Sequence, residues 1–289
     1  MKKLMFGLAI AAVGTAFAVE SSNIVGYNTL TTDGTRSPLI GLSFTPVSGG
    51  SFTLGDFKPV DGTMNADDDM IQEIDSTTLA AANLYQYLDK TTADAIAEEE
   101  GEDPGAFDSW IGWWDARIGI GEEDASADDV EIGNGFGFMG LFDAYSPISF
   151  QSAGTAPTKT TSVTTDGTRS PIIVNYIPRT IKLKELVPAD GTMNADDDML
   201  QEIDSTTLAA ANLYQYLDKS TADAIAEEEG EDPGAFDSWI GWWDARIGIG
   251  EEDASANDIE VAAGTGFMGL FDAGGAIQFQ LPSSTATAE

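Results

Sequence analysis

The sequence contains neither cysteine nor histidine. Without cysteine there is no disulfide and no lipid attachment through an N-terminal thiol. Without histidine there is no Ser-His-Asp triad, no imidazole metal ligand and no histidine-based pH switch. Basic residues are scarce as well: 13 lysines and arginines face 49 aspartates and glutamates in 289 residues, a formal net charge of −36. Nucleic acid and anionic membrane surfaces are recognised by positive charge, which argues against both as partners. Apolar runs long enough to span a bilayer are missing too; Leu4–Val13 falls well short. That run follows Lys2 and Lys3 and precedes Ala16-Phe17-Ala18, the form of a secretory signal over residues 1–18 with cleavage after Ala18. The mature chain is therefore expected to be exported, to the extracellular medium or cell surface, with the periplasm as the other compartment, and without membrane insertion. It carries 11 basic against 49 acidic residues, a net of −38. Such self-repulsion costs stability unless salt screens it or cations neutralise it.

What the chain does contain is one segment written twice. Asp61–Asp129 recurs as Asp190–Asp258 with three differences over 69 positions: Ile71 becomes Leu200, Thr91 becomes Ser220 and Asp128 becomes Asn257. Thr31–Pro38 recurs as Thr164–Pro171, and Phe138–Ala144 as Phe267–Ala273. Duplication of this kind favours bivalent binding or end-to-end construction over single-site catalysis. Each unit has the size of an independently folding domain. The expected boundaries are residues 19–150 for the first and 162–281 for the second. Between them, residues 151–161 read as a small, polar linker, and residues 282–289 as a polar tail. The alternative is one pseudo-symmetric domain in which the copies share a core.

Within a unit most patterns read as strand. Ile24–Thr31 and Leu39–Phe44 flank Asp33-Gly34, a hairpin signal. Met70–Ile74 and Leu84–Leu88 form a second expected pair, with Tyr85 and Tyr87 on one face. Trp110–Ile118 has tryptophans at helical spacing, yet Gly112, Gly119 and Gly121 disfavour a helix, so a strand is expected. Val130–Ile132 and Phe136–Phe142 surround Gly133-Asn134-Gly135, another tight turn, with Phe136, Phe138 and Phe142 sharing a face. One helix is expected from Thr92 to Glu100, capped by Thr91 with Asp94 completing a capping box, and ended by Gly101. The fold class that follows is mainly β: two tandem β-sandwich-like domains, each with a short acidic helical insertion.

The order of these elements has a parallel. An apolar run reaching a proline (Leu39–Pro46; Ile172–Pro178) precedes a short strand with Gln-Glu-Ile-Asp. A tyrosine-rich strand, a tryptophan strand and a Gly-x-Gly-Phe turn (Gly135–Phe138; Gly264–Phe267) follow. This resembles uncharacterised bacterial secreted β-sandwich-like domains whose pattern reads GWNLISLP…W…GxGYWV. Ser22–Tyr27, after the signal, looks like the start of exported proteins carrying that domain. Met139 and Met268 stand where that pattern has the tryptophan of GYW. The resemblance implies export, a β-sandwich-like fold and an accessory role outside the cell, and carries over no catalytic residue.

Two constellations have chemistry to offer. Asp61, Asn65, Asp67, Asp68 and Asp69, repeated as Asp190, Asn194, Asp196, Asp197 and Asp198, place several oxygens on one turn, the ligand type calcium prefers. Their spacing is not that of an EF-hand loop, and the alternative is a solvated acidic turn. The tryptophans form the other group. Alternation should send Trp110 and Trp114 to the core and Trp113, with its copy Trp242, to the surface, where an aromatic face could stack on a sugar. Asp115 and Arg117 (Asp244 and Arg246) read as an ion pair orienting this strand. Carboxylates abound, but nothing singles out a glycosidase pair. The expectation is a non-enzymatic structural or adhesive protein of the cell surface or extracellular matrix, with self-association or attachment to an envelope or glycan surface. The alternative is a bivalent, calcium-dependent carbohydrate-binding protein using Trp113, Trp242 and the acidic turns.

Overall fold

The structure is a computed structural model describing residues 25–284, except 36, 48–49, 76–77, 79, 144–145, 168–169, 205, 208 and 272–274. The expected signal and residues 285–289 of the tail lie outside the described residues. The fold is mainly β, and among the described residues every strand pairing is antiparallel. Among the described residues no helix is long and apolar enough to cross a membrane.

The first repeat contains β1 (Val25–Thr31), β2 (Leu39–Gly41), β3 (Phe52–Thr53), β4 (Lys58–Pro59), β5 (Met70–Ile74) and β6 (Ala81–Leu88). Helix α1 (Lys90–Glu100) follows, then β7 (Gly112–Asp115), β8 (Glu131–Ile132), β9 (Gly137–Leu141) and β10 (Ser149–Thr155). The second repeat runs in the same order: β11 (Thr161–Thr164), β12 (Ile172–Val174), β13 (Ile181–Lys182), β14 (Val187–Pro188), β15 (Met199–Ile203) and β16 (Ala210–Leu217). After α2 (Lys219–Glu229) come β17 (Gly241–Asp244), β18 (Glu260–Val261), β19 (Gly266–Leu270) and β20 (Gln278–Leu281). Each repeat builds a five-stranded sheet (β2-β9-β5-β6-β7; β12-β19-β15-β16-β17), a three-stranded sheet (β1-β10-β4; β11-β20-β14) and a two-stranded ribbon (β3-β8; β13-β18).

Alternation along these strands supplies one main hydrophobic cluster per repeat. In the first, Ile71, Tyr85, Trp113 and Phe138 of the five-stranded sheet meet Phe150 of the three-stranded sheet. Phe57 stacks on Phe150 at 4.6 Å between ring centroids. Leu200, Tyr214, Trp242, Phe267 and Phe279 repeat this in the second. The outer face of the five-stranded sheet carries a smaller cluster beside the helix, where Leu88 and Ala93 pack with Trp110 and Trp114. Helix α1 buries only Ala93 and Ala97 and turns its glutamates outward.

The expected β5–β6 pair is present, with Ile71 opposite Tyr85. The two hairpins expected around glycine turns are not. β1 pairs with β10 and β2 with β9, so the Asp33-Gly34 turn passes the chain between sheets instead of closing a ladder. Its geometry is local: the Asp33 carboxylate accepts from the Thr35 backbone N–H at 3.0 Å. Likewise β8 pairs with β3 and β9 with β2 and β5. Residues 151–155, expected in a linker, form the end of β10, because β1 offers them a seven-residue ladder. The helix cap is Asp89 rather than Thr91: its carboxylate accepts from the Thr92 N–H at 2.7 Å and ties the helix to the Gly62 turn, whose N–H it also accepts at 2.5 Å. Asp94, expected in a capping box, instead pairs with Lys90 at 2.6 Å and accepts from the Gly105 N–H.

Candidate functional site

The tryptophans occupy the reverse of their expected positions. Trp113 and Trp242 are fully buried, whereas Trp110 and Trp114 are partly exposed on the helix side. Register explains the reversal. Tyr87 lies directly opposite Trp113, and paired residues share a face, so the core-facing tyrosines take Trp113 inward. The two rings meet edge to face at 5.1 Å, and the Trp113 indole N–H donates to the Phe57 carbonyl at 2.7 Å. Trp242 repeats this with Tyr216 and Leu186. Neither indole can present a face to a sugar. Asp115 and Arg117 do form the expected ion pair, at 2.7 Å, and Arg117 also donates to Asn83 Oδ1.

The acidic turn uses its side chains internally. Asp69 is buried, accepting from the Asn65 N–H at 2.8 Å and the Asp143 N–H at 2.9 Å. Asn65 donates its amide to Asp68 and accepts from the Asp67 N–H. Asp198, Asn194, Asp197 and Asp196 repeat the Asn65-centred bonds in the second copy. Asp61 and Asp190 sit at the exposed start of each turn. Among the described residues, no group of three acidic side chains converges on a common point suited to a metal ion.

The feature that was not read from the sequence is where the repeats meet. Gly41 donates its N–H to the Gly264 carbonyl at 2.9 Å, and its counterpart Val174 donates to Gly135 at 2.8 Å. Bridges between Ile40 and Thr265 and between Phe136 and Ile173 complete a pseudo-twofold contact. Gly135 and Gly264 have φ of 80° and 78°, a conformation that favours glycine. Leu39, Ile172, Val174 and Met268 form a buried cluster drawn from both repeats. Phe136, expected to share a face with Phe138 and Phe142, packs instead on the second repeat's core. The two copies differ where Gly41 answers Val174: a Cβ on Gly41 would lie 2.9 Å from Val174 Cγ2, and one on Gly137 would lie 2.7 Å from Val174 Cγ1. Val174 fills the notch these glycines leave.

Two clefts flank this seam, each about 290 Å³ and each walled by both repeats. In one, Glu73 and Ile74 of β5 and Glu131 and Ile132 of β8 face Asp166 and Pro171 of the second repeat. In the other, Glu202, Ile203, Glu260 and Val261 face Asp33 and Pro38 of the first. Most lining residues of one cleft have their counterpart in the other, but Phe136 of the first stands where the second has Thr265. Glu73 is held by the Asn83 amide at 2.7 Å and the Tyr85 hydroxyl at 3.3 Å, and Glu202 by Asn212 at 2.6 Å and Tyr214 at 3.0 Å. Burial, and then the neighbouring Glu73, push Tyr85 up to about 12, so it stays a hydrogen-bond donor; Tyr214 is raised by burial and Glu202 in the same way. In each cleft an exposed carboxylate, Glu131 or Glu260, stands beside a buried apolar side chain, Ile132 or Val261. One sequence signal pointed here. Thr31–Pro38 and Thr164–Pro171 are the same eight residues in both copies although they lie outside the near-identical block, and each supplies a wall of one cleft.

No protein-family model, curated protein or solved structure matches the chain, so the reading of its function rests on its own geometry.

Proposed function

We propose that the chain is an exported, non-enzymatic adhesive protein of the cell surface or extracellular matrix, built from two β-sandwich-like repeats of the bacterial secreted type described above. The observation that carries this reading is the pair of equal clefts that the duplication creates at the seam. Two equivalent sites on one molecule raise retention on a multivalent surface through effective concentration, without new contacts. The test is retention of the labelled mature chain by washed producing cells and their matrix. Binding to the pelleted fraction and cross-bridging of cells are expected; a protein that stays entirely in the supernatant would refute the proposal.

A carbohydrate-binding reading keeps one observation in its favour. Tyr27 is 86% exposed beside Asp56, Lys58 and Gln151 on the three-stranded sheet. By strand register its counterpart is Thr160, so such a site exists once and gives no bivalency. A glycan array with the mature chain and with Tyr27→Ala decides it.

A further inference from the structure

Asn134 stands apart from the other asparagines of the chain. Every other described asparagine uses its side chain in a hydrogen bond, from Asn65 in the acidic turn to Asn257 beneath the Trp242 N–H. The Asn134 side chain is exposed and has no such partner among the described residues. It is also the one asparagine followed by glycine, and the second repeat has Ala263 in its place. Glycine has no side chain to shield its own nitrogen. In the second repeat the Gly264 N–H donates to the Asn175 carbonyl at 2.8 Å, whereas among the described residues no acceptor holds the Gly135 N–H. An unengaged side-chain amide thus precedes a backbone nitrogen that is neither shielded nor held. Groups joined this closely react as neighbours, without the entropy cost of an encounter.

The turn that carries them is part of the seam. The Phe136 N–H closes it on the Gly133 carbonyl at 3.1 Å, and the Gly135 carbonyl accepts from the Val174 N–H at 2.8 Å. Gly135 packs so closely on Val163 that a Cβ there would collide with it. Extra backbone in this turn therefore has to displace the Gly135 carbonyl from Val174.

We propose that Asn134 is a site of spontaneous deamidation, and that its isoaspartate product unfastens this half of the seam. The Gly135 nitrogen attacks Asn134 Cγ and closes a succinimide ring. The Cγ–Nδ2 bond breaks, and the amide leaves as ammonia with the proton of the Gly135 N–H. Ring closure needs rotation within the turn, so the reaction proceeds as the exposed turn opens locally. Water then opens the ring. Cleavage at Cγ restores the backbone with aspartate at the position; cleavage at the main-chain carbonyl sends the backbone through the side chain and lengthens it by a carbon. Water is taken up, ammonia is released, and nothing is oxidised or reduced. The second repeat, with alanine there, keeps its half of the seam. This inference is independent of the adhesive reading.

The test is to age the full mature chain in mildly alkaline buffer, where the attacking nitrogen loses its proton more readily. Tandem mass spectrometry should find the amide-to-acid mass gain at Asn134 ahead of every other asparagine, with aspartate and isoaspartate both present. Amide hydrogen exchange on the aged protein should be faster at Val174 by roughly tenfold, the worth of one hydrogen bond. Exchange at Gly41, which the unmodified Gly264 turn holds, should change less. Asn134→Ala gives the first repeat the residue that the second already has and should show neither the mass gain nor the faster exchange. Fresh Asn134→Asp carries the new charge without the longer backbone and should exchange at Val174 like the parent. Conversion of Asn134 no faster than that of the other asparagines would overturn the proposal. So would an unchanged Val174 in converted protein, or equal loosening of aged Asn134→Ala. Loosening in fresh Asn134→Asp equal to that of the aged parent would assign the effect to charge and overturn the role of isoaspartate.

Discussion

Trp113 shows how much a single residue's position depends on its neighbour across the sheet. Its indole is enclosed by Tyr87 and donates to a carbonyl 56 residues away in sequence. Trp113→Ala should therefore cost about 3–5 kcal/mol by cavity formation, and Trp242→Ala a similar amount, measured as a fall in the denaturation midpoint at unchanged slope. A loss under 1 kcal/mol at either position would contradict the buried placement. That Tyr85 and Tyr87 share a face was legible from alternation alone. The tryptophan face was not, because Asp115 and Arg117 share its parity and suggested solvent. They stand at the end of β7, where the chain turns and Arg117 reaches across the sheet edge to Asn83. Parity within a short strand ranks its two faces only once the partner strand is known.

At the scale of elements, the helix, the β5–β6 pair and the strand-rich class could be read from local pattern, whereas the partners of β1 and β8 could not. A glycine turn between two apolar runs is evidence for a reversal of direction. Whether the runs pair depends on competing ladders elsewhere, and β10 offers β1 seven residues of pairing. The helix cap moved from Thr91 to Asp89 for a tertiary reason: the Asp89 carboxylate also holds the Gly62 turn, and Asp218 does the same for Gly191. Asp218 has a folded pKa that its burial works to raise, but hydrogen bonds from the Gly191 and Thr221 N–H groups outweigh burial and hold it below the usual 3.8. A lowered native value means that the charged cap stabilises the fold above about pH 3.8 and that this contribution is lost as pH falls through the native value. Asp218→Asn should lower the melting temperature most at neutral pH, and the gap to the parent should narrow in acid. A gap that widens in acid would show the sign to be wrong. Asp218→Ala removes the capping oxygen altogether and should cost about 1 kcal/mol or more at neutral pH.

For the molecule as a whole, charge sets the conditions under which the fold is most stable. With 49 acidic residues, screening should raise the melting temperature as sodium chloride increases. Calcium chloride at equal ionic strength is expected to act no more strongly, since Asp69 is occupied with backbone N–H groups. A calcium effect well beyond screening, removed by Asn at Asp67, Asp68, Asp196 and Asp197, would instead establish an ion site at the turns. Duplication was plain in the sequence. The seam was hidden because its contacts join short edge segments and two glycine carbonyls, none of which stands out in composition. One of its departures from symmetry, Gly41 against Val174, bears on how the chain finds itself. Two first repeats from different molecules would bring glycine to glycine at position 41 and leave a hollow, while two second repeats would crowd valine against valine at 174. At this position a first repeat set against a second closes the joint, and the tether between them makes that partner the nearest one. In a near-perfect duplication, which would otherwise invite exchange between molecules, this side chain and the notch that receives it are expected to favour the chain's own other half.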